Sequence, residues 1–120
     1  MTPCFEIPKS TGFRGAILFM IMYRLHNDDP DLDEAIWTPI YKSELKGNSN
    51  EGFVFNQFSM MKSDLCHSDN MRNIKIEIFK ADKSGNHQCI GNTIFTVSDV
   101  QDSPNKKLDV SELKGATFKF

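Results

Sequence analysis

The sequence predicts an all-β protein, an antiparallel sandwich or barrel. Several apolar segments of strand length recur along the chain, and Gly, Asn, Asp, Ser or Pro clusters separate them. One stretch, IKIEIF at residues 74–79, alternates cleanly: Ile74, Ile76 and Ile78 fall on one side, Lys75, Glu77 and Phe79 on the other. Successive side chains of a strand point to opposite faces, so this pattern is that of a half-buried strand.

That strand opens residues 73–97, NIKIEIFKADKSGNHQCIGNTIFTV, which read as two strands around a polar loop. Residues 81–87 supply Asp82, Lys83, Ser84, Gly85 and Asn86, all turn formers. Cys89, Ile90 and Gly91 restart an apolar run, which Ile94 continues on one face and Phe95 and Val97 on the other. A polar loop carrying Asp82 between two such strands has the layout of a cation-facing or lipid-facing loop on a β-sandwich.

The remaining elements follow in order. Residues 4–7, between Pro3 and Pro8, predict a short edge strand. Residues 10–15 form a loop exposing Phe13 and Arg14 between two glycines. Residues 16–25, AILFMIMYRL, suit a buried strand; a helix is the other reading, because a continuous apolar run has no period to decide between them. Residues 28–34 carry five acids around Pro30 and predict a solvated loop. Residues 35–46 predict a strand that Pro39 makes an edge or a bulge. After a turn at 47–52, Phe53, Phe55 and Phe58 predict a strand with an inward aromatic face. Ser63 and Ser98 each predict the cap of a helical turn. Residues 108–113 are ambiguous, and Phe118 and Phe120 close the chain as alternating strand residues. Phe53, Phe55, Phe79 and Phe95 are the aromatic core candidates.

Composition bounds the function. At 120 residues the chain is one domain's length and long enough for a single core. A formal net charge of −2 gives no global attraction for nucleic acid or an anionic membrane, so any such binding must come from a local patch. Basic residues do not interleave with the aromatics as nucleic-acid binding requires. Three cysteines without CxxC spacing argue against a disulfide scaffold and for a reducing, cytoplasmic setting. The longest apolar run is too short to span a bilayer. No nucleophile elbow, phosphate-binding loop or carboxylate pair marks an enzyme, and no cofactor motif is present. Cys66-His67 and His87-x-Cys89 offer zinc-type ligands without a structural-zinc spacing; buried cysteines and a turn histidine account for them better.

Tyr-Lys-Ser-Glu-Leu-Lys at 41–46, the aromatic strand after it, Asp64-Leu65-Cys66, the strand 74–79, Gly85-Asn86-His87 and Ile90-Gly91 together resemble a C2 domain. They are most similar to the C2 domains of the copine family, in order and spacing, over residues 18–120. The resemblance implies an all-β, antiparallel β-sandwich of C2 type: a single C2-like domain over 1–120, either shortened at its amino terminus or a fragment of a larger protein.

The resemblance also implies a calcium site on two loops, and the sequence departs from it. Residues 11–15 hold no acid, Lys80 stands at the first aspartate position of the second loop, and Gln88 stands near the third. Asp82 is left as a residual calcium-ligand position, too few hard oxygens for an ion that takes six to eight. The expected function is therefore a non-enzymatic membrane-targeting module that binds acidic phospholipids with calcium dependence weak or lost. Lys80, Lys83, Arg14 and Phe13 form its loop end, and Lys42 and Lys46, with Lys75 as a further candidate, form a strand surface. It would sit in the cytoplasm as a peripheral membrane protein, without nucleic acid as a partner. Scattered lysines that merely solvate a strand face are the plain alternative. The rival function is calcium-independent protein–protein interaction through the acidic loop 28–34 and the edge marked by Pro39.

Overall fold

The computed structural model describes residues 3–7, 16–26, 36–47, 52–102, 107–109 and 117–119. Two antiparallel sheets face each other. The first holds β1 (Cys4–Ile7), β5 (Phe53–Val54), β8 (Lys107–Asp109) and β9 (Thr117–Lys119), in the order β5-β1-β9-β8. The second holds β2 (Ile17–Leu25), β3 (Trp37–Lys42), β6 (Ile74–Lys80) and β7 (Gln88–Phe95), in the order β3-β2-β6-β7, with β4 (Lys46–Gly47) also paired to β2.

The predicted hairpin of residues 73–97 is present as β6 and β7, and Ile74, Ile76 and Ile78 are fully buried. Opposite them on β2, Leu18, Met20 and Met22 also point inward. Phe5, Ile7, Phe53 and Phe118 of the first sheet, and Phe55 just after β5, meet this layer, with Phe95 and Phe118 in contact across the sandwich at 4.9 Å between ring centres. Burying aromatics of this size removes 150–250 Å² each, typically, from water, which makes this layer the main support of the fold.

The apolar run 16–25 is a strand over Ile17–Leu25, not a helix. Their run of apolar residues lacks a visible period because the outer face of β2 is also covered: Phe19 lies under Phe79, stacked at 5.2 Å, and is only 3% exposed. Phe79 itself belongs to that outer face, not to the core, since it follows inward-facing Ile78 by one residue. Pro39 sits on edge strand β3, where the register against β2 shifts between Met22 and Tyr23. A proline is tolerated there because it has no N–H to give to a ladder.

Three local expectations are corrected. β1 is not an edge strand; it lies between β5 and β9. Ser63 lies inside α1 (Lys62–Cys66) and does not cap it; the N-cap is Met61, which makes no side-chain hydrogen bond. α2 (Val97–Asp102) is capped by Thr96, not Ser98: the Asp99 N–H donates to Thr96 Oγ1 at 3.1 Å and the Thr96 N–H donates to Asp99 Oδ2 at 2.8 Å. This is a capping box with aspartate in the place of glutamate.

Candidate functional site

The loop between β6 and β7 is built by its own hydrogen bonds. The Ser84 N–H donates to Asp82 Oδ1 at 2.8 Å, and the Gly85 N–H donates to the Asp82 carbonyl at 3.0 Å. Gly85 has φ +87°, a conformation that favours glycine, so the turn is closed by the residue type that closes it without strain. The Asp82 N–H donates to His87 Nδ1 at 3.0 Å, tying the two ends of the loop together. His87 also meets the Phe19 ring edge-on at 5.0 Å, which anchors the loop to the outer face of β2. The Ala81 N–H donates to the Ile17 carbonyl at 2.8 Å and completes the attachment.

A second segment meets this loop from the side of β3 and β4. Ser43 is buried between these strands; its N–H donates to the Met20 carbonyl at 2.9 Å, and its Oγ accepts the Met20 N–H at 2.8 Å. This pair of bonds fixes Lys42, Glu44 and Leu45 beside the start of β2. Lys42 Nζ lies 5.0 Å from the centre of the Phe19 ring, within cation–π range.

Between the two segments runs a groove of roughly 580 Å³. Phe19, Ile17, Ala16, Ala81 and Leu45 give it apolar walls, and Lys42, Lys80, Lys83 and His87 line it with cationic or basic groups. Two acids line it as well, each accepting a backbone N–H. Glu44 Oε1 accepts the Asn56 N–H at 2.8 Å, and Asp82 is held by Ser84. The Ser84 bonds, followed by the nearby His87 and Lys80, hold the Asp82 carboxyl below its ordinary pKa. No ion pair is made by Lys42, Lys80 or Lys83 among the described residues.

The sequence placed the loop lysines and the strand lysines on two surfaces. The structure brings Lys42, Lys80 and Lys83 to one groove. Lys46, half-buried and paired with Leu18, does not line it. Lys75 lies farther along the same sheet, ion-paired with Glu77 at 3.3 Å and lodged between the Tyr23 and Trp37 rings at 4.9 and 4.8 Å. Burial and the adjacent Glu77 raise the Tyr23 pKa above its usual value. Phe13, Arg14 and the acidic loop 28–34 lie outside the described residues. Asp82 lies on the groove as the only carboxylate of its loop.

Cys66 is buried in α1, and His67 closes that helix at φ 52°, in the left-handed region. Among the described residues no three His, Cys, Asp or Glu side chains gather to hold a metal ion.

No protein-family profile matches the chain. A solved structure named BON1-C2B, a C2 domain, superimposes on 98% of this chain and 85% of its own, with a TM-score of 0.67 at 12% sequence identity. The chain has the C2 fold. That placement rests on the course of the backbone, since so low an identity carries no residue roles. Within this C2 fold the groove lies at the end of the second sheet where β6 passes into β7. No helix among the described residues is long and apolar enough to cross a membrane.

Of the groove residues, sequence reasoning found Lys42, Lys80, Asp82 and Lys83 and missed the rest, Ile17, Phe19, Ser43, Leu45 and His87 among them. Phe19 is hidden within a run of apolar neighbours, and Ser43 and Leu45 gain their place only from the register of β4 on β2. The Tyr-Lys-Ser-Glu-Leu-Lys motif did point to their segment.

Proposed function

We propose that this protein is a non-enzymatic, cytoplasmic module that docks peripherally on acidic phospholipid surfaces without needing calcium. The observation that carries this reading is the convergence of Lys42, Lys80 and Lys83 on one groove, where they outnumber its two carboxylates, Glu44 and Asp82. A lysine near an anionic bilayer contributes about 1 kcal/mol. Three together supply the local attraction that a net charge of −2 does not. Asp82, with its carboxylate turned to Ser84, adds little to a cation site that needs several hard oxygens.

Cosedimentation with phosphatidylserine-containing vesicles, in calcium and in EGTA, tests the proposal. The wild type is expected to bind equally in both. Lys42→Gln, Lys80→Gln and Lys83→Gln are each expected to weaken binding about fivefold, and the triple variant about a hundredfold. Binding that vanishes in EGTA, or no binding to anionic vesicles at all, sinks the proposal. The protein-interaction reading of the same fold predicts the reverse: indifference to these lysines, and loss of a captured partner on neutralising the acids of residues 28–34.

A further inference from the structure

The groove is more apolar than a surface for phosphate headgroups requires. Phe19 forms its base, and Ile17 and Leu45 stand on its walls 47% and 60% exposed. An uncovered leucine and isoleucine beside one cavity form a patch that water solvates poorly. The cationic groups line the same cavity: Lys80 comes from the end of β6, Lys83 from the loop after it, and Lys42 from β3. A volume of roughly 580 Å³ lies within the 300–1,000 Å³ range of small-molecule sites.

We infer that the groove between the β6–β7 loop and the Lys42–Leu45 segment binds a single anionic amphiphile, with its charged head on Lys42, Lys80 and Lys83 and its hydrocarbon chain along Phe19, Ile17 and Leu45. This deepens the docking reading and rests on the same lysines. It goes further in one respect: the site takes one lipid-like molecule by head and chain instead of only resting on a charged surface. A free phosphate satisfies the lysines and leaves the apolar walls wet. A neutral amphiphile covers the walls and leaves three ammonium groups facing only two carboxylates, with positive charge in excess. Only a molecule with both parts matches the whole lining.

The test uses the full chain and a series of alkyl phosphates below their micelle concentrations, with dodecyl phosphate as the principal probe. Inorganic phosphate and dodecyl maltoside serve as head-only and chain-only controls. Binding is read by calorimetry and by the NMR signals of His87 and Phe19. Each methylene buried is expected to tighten binding about fourfold until the groove is filled. Dodecyl phosphate is expected to bind at least tenfold tighter than either control. Leu45→Asn, which is uncharged and at an exposed position, is expected to weaken dodecyl phosphate at least tenfold with Tm unchanged and to leave inorganic phosphate unaffected. Equal binding of inorganic phosphate and dodecyl phosphate overturns the inference, as does equal binding of dodecyl maltoside. Vesicle docking together with no binding of dodecyl phosphate overturns it too, and leaves the docking proposal standing. Failure of the vesicles alone removes the docking proposal and leaves the amphiphile site.

Discussion

The carboxylate of Asp82 helps to hold its own loop. It accepts the Ser84 N–H at 2.8 Å, and that bond is the main reason its pKa falls below the ordinary 3.8. A carboxyl with a lowered folded pKa contributes stability that is present above its unfolded pKa and lost as pH falls through the folded value. Asp82→Ala is therefore expected to lower Tm slightly at pH 7, and the gap from the wild type is expected to close as the buffer is taken below 3.8. Thermal melts across that range check it; a gap that persists in acid would mean that the side chain acts through packing and not through its charge. The type of residue at 82 was legible in the sequence. Its partner was not, because an aspartate two residues before a serine caps a turn only where the loop folds to bring the Ser84 N–H onto it.

Among the elements, legibility followed how many faces each strand buries. β6 keeps one face in the core and one partly wet, so Ile74, Ile76 and Ile78 announce it. β2 is covered on both sides, inward by Leu18, Met20 and Met22 against the core and outward by Phe19 against Phe79 and His87, so its alternation disappears into a continuous apolar run. Helix starts were legible as to place but not as to residue. A serine stands near each, yet α1 begins without a side-chain cap and α2 takes Thr96. The box formed by Thr96 and Asp99 gives a sharp expectation. Thr96→Ala removes the acceptor of the Asp99 N–H and is expected to cost about 1 kcal/mol. Ser98→Ala is expected to stay within about 0.5 kcal/mol of the wild type. Urea unfolding of the two variants separates them; equal losses would place the cap at Ser98 after all.

At the scale of the whole molecule, the site is a product of topology. Phe19, Lys42 and Lys80 lie far apart in the chain and meet because β2 pairs with both β3 and β6. Composition could not show this: a net charge of −2 averages the lysine groove with acids that lie elsewhere. The average and the patch differ in how they respond to salt. At about 0.1 M the screening length is about 10 Å, so the three lysines act as a group on a nearby anionic surface; at about 1 M it falls to about 3 Å and they no longer do. Vesicle binding is therefore expected to weaken by an order of magnitude or more between these two concentrations. Dodecyl phosphate, kept below its micelle concentration, is expected to weaken much less, because burial of its chain against Phe19, Ile17 and Leu45 is not screened by ions. Paired titrations at the two salt concentrations measure both. Vesicle binding that ignores salt would remove charge as the docking force, and equal salt losses for vesicle and amphiphile would remove the apolar walls from the site.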